Sequence, residues 1–197
     1  MTLLEMSARQ RIVAIFFLHA LSQGGLFSRI PDLQQALGLD AATLGLTLLG
    51  QPLGAITMFL FASVIVERLG TRRVLVVAIP GLALAVYLMA VAPSAAILFA
   101  VFAAFGALFG ASNIAMNVEA DRVEAATGQR VMNTCHGVWS LGMLAATLLG
   151  TLARGGGISP AWHFFAILVP VVIATLLCIV PLQASPPRAH AGTTVRR

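Results

Sequence analysis

Long apolar runs separated by short charged segments organise this chain of 197 residues. The runs lie at roughly 12–29, 43–66, 74–92, 95–117, 132–153 and 162–181. Each has about eighteen residues or more, which is enough for an α-helix to cross about 30 Å of hydrocarbon. Lipid offers no hydrogen-bond partner to backbone N–H and C=O groups, so each run is predicted to be a helix. We therefore predict an all-α membrane protein in which residues 1–183 form a bundle of six transmembrane helices.

The composition also indicates a membrane protein. Hydrophobic residues make up 59% of the chain and charged residues only 10%, whereas soluble globular domains carry about 25% charged residues. The formal net charge of +5 raises the question of a nucleic-acid partner. However, the arginines lie in short loops between apolar runs and form no basic stripe. The pattern therefore excludes nucleic acid and makes the lipid bilayer the expected partner.

The distribution of arginine predicts the orientation of the chain. Alternate loops carry ten arginines, whereas the remaining loops carry only Arg29 and Arg154. Short arginine-rich loops remain in the cytoplasm. We therefore expect a multi-pass protein of the cell inner membrane with both termini in the cytoplasm, including a disordered tail over residues 184–197. The ten arginines assigned to the cytoplasm are Arg9, Arg11, Arg68, Arg72, Arg73, Arg122, Arg130, Arg188, Arg196 and Arg197.

Local signals predict helix contacts and one helix start. Gly50-x-x-x-Gly54 lies in the second run and Gly106-x-x-x-Gly110 in the fourth. Such motifs let another helix backbone approach closely, although glycine is also simply common in membrane helices. Asp40 precedes the second run and is a plausible N-cap for its helix.

A charged hairpin joins the second and third runs. The segment 67–73, Glu-Arg-Leu-Gly-Thr-Arg-Arg, resembles the signature between helices 2 and 3 of the major facilitator superfamily of transporters. Two positions depart from that signature, because Ser63 stands where glycine is usual and Glu67 where aspartate is commoner. The residues that carry the resemblance are Glu67, Arg68, Gly70, Arg72 and Arg73.

The resemblance implies a fold and a mechanism. Members of that superfamily have two six-helix halves, each a 3+3 inverted repeat, and bind their substrate between the halves. This chain would supply one half, and a complete transporter would need a second six-helix half. We expect a truncated product, while a split transporter completed by a separate chain and a homodimer remain open. Transport would proceed by alternating access, in which one bundle rocks against the other around a site at mid-membrane.

Polar residues inside the runs are candidates for the solute site, because polar side chains in a membrane helix usually face a partner or a cavity. They concentrate on the first, fourth and fifth helices, and the resemblance implies that the first and fourth line the central cavity. The alternatives are amides that bond neighbouring helices, histidines satisfied in the interior, and a tryptophan that only packs. The predicted cavity residues are His19, Gln23, Asn113, Asn117, Asn133, His136 and Trp139.

The stretch 113–142 resembles the fucose and hexose symporter branch of the superfamily. The resemblance implies a small polar solute, with a sugar as one candidate. No Asp or Glu lies inside any run, so proton coupling would need a histidine here or an acid in the second half. Efflux of drugs or metabolites is the alternative transport function. The features of the branch are Asn113, Asn117, Glu119, Asp121, Arg130, Asn133 and Gly142.

Charges at the cytoplasmic side predict a gate. We expect Glu119 or Asp121 to pair with an arginine of the hairpin, Arg68, Arg72 or Arg73, and so to lock an outward-open state. The alternative is a solvated rim, because exposed ion pairs contribute only about 0–1 kcal/mol.

Two non-transport functions are the alternatives. One is a membrane subunit that only packs against a partner. The other is an intramembrane hydrolase, which needs a serine and a histidine on facing helices with an oxyanion site. Ser140 lies in Gly-Val-Trp-Ser-Leu-Gly, which is not a Gly-x-Ser motif, so we predict that the protein is not an enzyme. Cys135 and Cys178 lack zinc-site spacing, and we predict no metal and no cofactor.

Overall fold

The computed structural model describes residues 6–182, and every regular element in that range is an α-helix. Two consecutive helices, Ala41–Leu48 and Gly50–Leu69, are separated by Leu49 alone. The predicted tail over 184–197 lies outside the described residues. The helices are α1 (Ala8–Ala36), α2 (Ala41–Leu48), α3 (Gly50–Leu69), α4 (Thr71–Ala90), α5 (Ala95–Thr127), α6 (Met132–Gly155) and α7 (Pro160–Ile179).

Within residues 6–182, six helical stretches are long and apolar enough to cross a membrane, and α2 with α3 forms one of them over Ala41–Leu69. The predicted fold class, an all-α membrane protein with six spanning helices, is therefore confirmed. α1 and α5 contain 29 and 33 residues. At about 1.5 Å per residue both exceed the roughly 30 Å of the hydrocarbon core, so they extend past the apolar runs from which they were predicted.

Side chains and one glycine fix several helix ends. Ser7 and Gln10 form a reciprocal capping box at the start of α1. Asp40 accepts a hydrogen bond from the Thr43 N–H at 2.7 Å, which confirms the predicted N-cap. Between α3 and α4 a single residue, Gly70, makes the turn with a φ of +78°. Glycine is favoured there because it has no Cβ to clash.

Glycines hold α3 and α5 in backbone contact. A Cβ added at Gly54 would overlap the carbonyl group of Ala103, and one added at Gly106 would overlap the carbonyl group of Gln51. The predicted close approach is therefore confirmed, and the two motifs pack against each other. All four motif residues, Gly50, Gly54, Gly106 and Gly110, face the opposing helix.

A second glycine-lined contact joins α1 to α6. Gly24 faces the backbone of Met143, while Gly142 faces the backbone of Phe17. The contact between α1 and α6 and the contact between α3 and α5 are the most extensive helix contacts in the described bundle. In span order, α1 with α6 joins the first span to the fifth, and α3 with α5 joins the second to the fourth. Exchanging the first three spans with the last three converts one contact into the other, as a 3+3 repeat requires.

The buried core consists of two apolar clusters stacked along the bundle. The first lies toward the hairpin Glu67–Arg73 and includes Phe16 of α1 and Ala111 of α5. The second lies toward the opposite end and includes Leu26 of α1 and Phe105 of α5. Polar side chains of both helices occupy the level between these clusters, so the bundle has a polar layer near its middle.

The outer surface of α3 and α6 is apolar. Leu53, Ile56 and Leu60 of α3 are more than half exposed, as are Leu144 and Leu152 of α6. A surface of this kind would associate in water. In a bilayer it contacts lipid or another helix bundle, which agrees with the composition of the chain.

Candidate functional site

His19 lies at the centre of a polar cluster that joins three helices. Its side chain, on α1, is fully buried. The Nε2 atom lies 3.0 Å from Ser112 Oγ on α5. The Nδ1 atom lies 3.1 Å from Trp139 Nε1 on α6 and 3.1 Å from Gln23 Nε2, one turn along α1. We refer to His19, Gln23, Ser112 and Trp139 as the central polar cluster.

The cluster occupies the level between the two apolar core clusters. On α1, His19 and Gln23 fall between Phe16 and Leu26, which belong to opposite core clusters. On α5, Ser112 lies beside Ala111, the α5 residue with which the hairpin-side cluster begins, so it marks the edge of that cluster. Polar groups at this depth are costly in a membrane unless they bond to one another or face a polar cavity. The cluster is therefore the strongest candidate for a functional site in the described chain.

Asn113 and Asn117 lie on α5 beside the central polar cluster and are both partly buried. Asn117 Nδ2 donates to the Asn113 backbone carbonyl at 2.8 Å and lies 3.3 Å from Asn113 Oδ1. These hydrogen bonds run along α5 and do not hold a neighbouring helix. The two amides can therefore offer hydrogen-bonding atoms to a solute on this face.

Asn133 and His136 occupy exposed positions on α6, nearer the hairpin end than Trp139. The His136 ring meets Phe16 edge to face, with centroids 5.5 Å apart. Neither residue contacts the central polar cluster through a hydrogen bond in the described structure. Ser140 Oγ donates to the His136 carbonyl at 3.0 Å, so the hydroxyl is engaged with its own helix and not with a histidine ring.

The structure thus brings together only part of the predicted cavity set. His19, Gln23 and Trp139 are in direct contact, Asn113 contacts Asn117, and the remaining two residues lie apart. Ser112 was missed by the sequence reasoning. A usable signal existed, because Ser112 and Glu119 are seven residues apart and so share one face of α5.

Thr71 connects the hairpin to α5. Its buried hydroxyl donates to Glu119 Oε2 at 2.8 Å, and the same oxygen lies 3.0 Å from Arg122 Nη1. Glu119 is itself buried, so its carboxylate is held from both sides.

The prediction of an ion pair between the α5 acids and the hairpin arginines is therefore wrong. Within residues 6–182 neither Glu119 nor Asp121 pairs with Arg68, Arg72 or Arg73. The partner of Glu119 is Arg122, one turn along the same helix. The one-residue turn explains this outcome, because it points Thr71 into the bundle and leaves Arg68 and Arg73 exposed.

At the opposite end of the bundle, Asp32 bridges two arginines. Its Oδ2 lies 3.0 Å from Arg29 Nε and its Oδ1 lies 3.0 Å from Arg154 Nε. Arg29 is only 1% exposed, whereas Arg154 is 47% exposed. Arg29 also donates to the Ile158 carbonyl. Arg29 and Arg154, which the sequence analysis assigned to the same side of the membrane, thus share the carboxylate of Asp32. This shared carboxylate joins α1 to the end of α6.

The chemistry of the central region is that of neutral hydrogen bonding. Imidazole, amide, hydroxyl and indole groups are present, while the buried charged side chains Arg11, Arg29 and Glu119 lie toward the two ends. Within residues 6–182 no group of three or more His, Cys, Asp or Glu is placed to hold a metal ion. This arrangement can bind a polar solute by hydrogen bonds.

Comparison with known proteins gives a family and several relatives. The family model described as Major Facilitator Superfamily matches residues 12–196. An uncharacterized MFS-type transporter of Yersinia pestis is 28% identical over 170 residues, which cover 86% of this chain and 42% of that protein. The uncharacterized transporter y4wD of Sinorhizobium fredii is 30% identical over 143 residues, which cover 72% of this chain and 38% of that protein.

A third relative, the membrane protein MosC of Rhizobium meliloti, is 29% identical over 141 residues, which cover 71% of this chain and 35% of that protein. The chain therefore spans about two fifths of the length of these curated relatives. No solved structure matches the chain significantly.

Proposed function

Because the chain belongs to the major facilitator superfamily, we propose that it forms one six-helix half of a transporter that moves a small polar solute by alternating access. A sugar is the first solute class to test. The observation that carries this proposal is the central polar cluster, which is uncharged, lies between two apolar clusters and joins α1, α5 and α6.

The depth of the cluster supports a solute site. Transporters of this architecture hold their solutes near the middle of the membrane, at the interface between repeats. Residues from the first, fourth and fifth spans meet at that depth here. Asn113, Asn117 and Trp139 are partly exposed next to it, so a solute could reach them while His19 remains buried.

The absence of charge at this level of the described bundle favours a neutral solute. An ionic solute would need a counter-charge to offset the loss of its hydration. The buried charges of α1 and α5, Arg11, Arg29 and Glu119, lie toward the ends of the bundle. Arg29 and Glu119 are paired there with Asp32 and Arg122, and Arg11 donates to the Met6 carbonyl at 3.0 Å. Amide groups instead provide both donors and acceptors, which suits the hydroxyl groups of a sugar.

The fucose and hexose symporter branch remains a proposal that rests on the stretch 113–142. Within it, the side chains of Asn113 and Asn117 are hydrogen-bonded to each other, and Gly142 allows α6 to pack on α1. These contacts give the resembling residues a local role.

If transport is coupled to protons, His136 is the better carrier of the two central histidines. Both ring nitrogens of His19 are engaged by neighbouring side chains, whereas His136 lies at an exposed position. A histidine side chain can take up and release a proton. Uptake that does not change between about pH 5.5 and 8 would count against coupling through this residue.

We also propose that a second six-helix unit completes the transport path, whether from the same gene, another chain or a second copy. The apolar faces of α3 and α6 leave surface for such a unit. The orientation is proposed from arginine distribution, with the hairpin Glu67–Arg73 in the cytoplasm and the Arg29–Asp32–Arg154 cluster on the opposite side. The inner membrane is the proposed location.

The proposal is tested by solute uptake into proteoliposomes. The chain is reconstituted alone and together with the part of the Yersinia pestis relative that lies outside the aligned region. Radiolabelled neutral sugars, amino acids and amphipathic dyes are compared. Uptake of a neutral sugar supports the proposal, whereas uptake of dyes alone, or of no polar solute by correctly inserted protein, contradicts it.

A matched pair of variants ties the uptake to the polar face. Asn113→Ala removes one hydrogen-bonding group, and a net loss of about 0.5–1.5 kcal/mol corresponds to roughly a 2- to 13-fold lower uptake at limiting solute. Thr57→Ala is the control, because the Thr57 hydroxyl is exposed and donates to its own helix at Leu53. Equal effects of the two substitutions would remove Asn113 from the solute site.

A further inference from the structure

We infer that His19 is a positioning residue that holds the indole of Trp139 through its Nδ1 atom as a neutral imidazole. It would then act on a solute only through Trp139. That last consequence rests on the proposed function. The contact itself does not, and its test reads Trp139 without any solute, so the inference and the proposed function can fail separately.

The hydrogen bonds select one tautomer of His19. An indole N–H can only donate, and Trp139 Nε1 lies 3.1 Å from His19 Nδ1. Nδ1 must therefore accept and carry no proton. In the neutral ring the proton then sits on Nε2, which faces Ser112 Oγ at 3.0 Å.

The partner on α5 agrees with this tautomer. Ser112 Oγ donates its own hydrogen to the Leu108 carbonyl at 2.8 Å, so its lone pairs are free to accept from His19 Nε2–H. Gln23 Nε2 also points its amide hydrogens at Nδ1. Within residues 6–182 the ring is thus surrounded by three uncharged side chains, of which Trp139 fixes Nδ1 as an acceptor while Gln23 and Ser112 are compatible with that tautomer.

Burial separates His19 from direct solute contact. The side chain is 0% exposed, whereas Trp139 is partly exposed and packs against the hairpin-side core cluster. The indole N–H bond to α1 restrains rotation of the ring about its side-chain torsions. The orientation of the partly exposed Trp139 ring therefore depends on an acceptor at position 19.

The hydrogen bond between His19 and Trp139 also joins α1 to α6. The two helices can separate at this level only if that bond breaks. α1 and α6 meet through Gly24 and Gly142, with little side-chain volume between them. Thr147 Oγ1 adds a second bond across the same contact, to the Gly24 carbonyl at 3.0 Å. His19 and Trp139 thus form the one side-chain to side-chain hydrogen bond between α1 and α6 in the membrane core of the described chain.

The direct test is the indole N–H signal of Trp139. The chain has two tryptophans, so a Trp162→Phe background leaves one indole cross-peak in the nitrogen–proton spectrum of the detergent-solubilised protein. His19→Asn places an amide oxygen near the position of Nδ1 and should retain the hydrogen-bonded shift. His19→Gln reaches the position of Nε2 instead and should lose it, as should His19→Leu.

Ser112→Ala is the matched control. It removes the bond at Nε2 and leaves the acceptor at Nδ1, so the Trp139 signal should stay at its hydrogen-bonded position. A purely structural role for His19 predicts instead that the signal follows the loss of stability in all four variants. The melting temperature of each variant separates the two readings. A Trp139 signal unchanged in folded His19→Gln or His19→Leu overturns the inference.

A measurement on the unsubstituted chain covers the case in which variants do not fold. With nitrogen-labelled histidine, His19 should show an unprotonated Nδ1 and a protonated Nε2. The opposite tautomer, or an imidazolium at neutral pH, overturns the inference. Where uptake can be measured, His19→Gln and Trp139→Phe should raise KM by similar factors, and the double variant should raise it little further.

Discussion

The contact between α3 and α5 makes a sharp prediction about Gly54. In Gly54→Ala the new methyl group would overlap the carbonyl carbon and oxygen of Ala103. These are backbone atoms, so no side-chain rotation can relieve the overlap. The helices must separate, and the packing that surrounds Gly106 on the opposing helix is lost with it.

The magnitude follows from two opposing terms. Overpacking of a tight site costs about 1–3 kcal/mol, and we expect the upper half of that range because backbone blocks the methyl group. Alanine is better than glycine inside a helix by about 1 kcal/mol. Gly54→Ala should therefore destabilise the bundle by about 1–2 kcal/mol.

Gly45→Ala supplies the control within the same span. A Cβ at Gly45 meets nothing within 4 Å, so only the gain of up to about 1 kcal/mol remains. Unfolding of the detergent-solubilised protein by SDS, followed by far-ultraviolet circular dichroism, gives the free energies. If Gly54→Ala proves as stable as Gly45→Ala, the close packing of α3 on α5 is refuted.

Two further predictions concern charged groups. Asp32→Asn leaves the buried Arg29 guanidinium without a carboxylate and should lower the free energy of unfolding by about 3 kcal/mol. Arg154→Ala removes a half-exposed partner of Asp32 and should lower it by about 0–1 kcal/mol. Equal losses of stability in the same unfolding assay would contradict the burial argument. At the start of α2, hydrogen bonds from the Thr43 side chain and backbone hold the pKa of Asp40 below its ordinary value. The cap is therefore fully present above the pKa of unfolded aspartate and is lost as the pH falls through the lower folded value. The Thr43 amide resonance should report this titration, and Asp40→Asn, which keeps a capping oxygen, should abolish it; a titration that persists in Asp40→Asn would assign the effect elsewhere.

The spanning helices could be predicted from the sequence because lipid imposes a simple rule. A long apolar run must be helical, and its length is fixed by the thickness of the bilayer. The ends of the helices followed other rules. α5 continues to Thr127, well past the apolar run, and ends where Gly128 adopts a φ of +67°. Such ends depend on caps and turns that hydropathy does not register.

The site could be predicted only in part. His19 and Gln23 share a face because they are four residues apart on one helix, and that spacing is visible in the sequence. The bond between His19 and Trp139 depends on how α1 crosses α6, where Gly24 and Gly142 allow close packing, and it joins residues 120 positions apart in the sequence. No local pattern contains that information.

The error at the hairpin has the same origin. Opposite charges at one end of the bundle suggested a pair between α5 and Arg68, Arg72 or Arg73. The geometry of the turn at Gly70 instead gave Glu119 the hydroxyl of Thr71. Charge alone could not distinguish an arginine that points outward from a threonine that points inward.

The account depends on two ends of the bundle facing opposite sides of a membrane. Single cysteines introduced by Gln35→Cys and Arg68→Cys, both at exposed positions, can be labelled in intact cells with a membrane-impermeant maleimide. Cys135 and Cys178 are buried and give the background. The account predicts labelling of position 35 from outside and of position 68 only after the membrane is opened. Labelling of both positions in intact cells, or of neither, would contradict it.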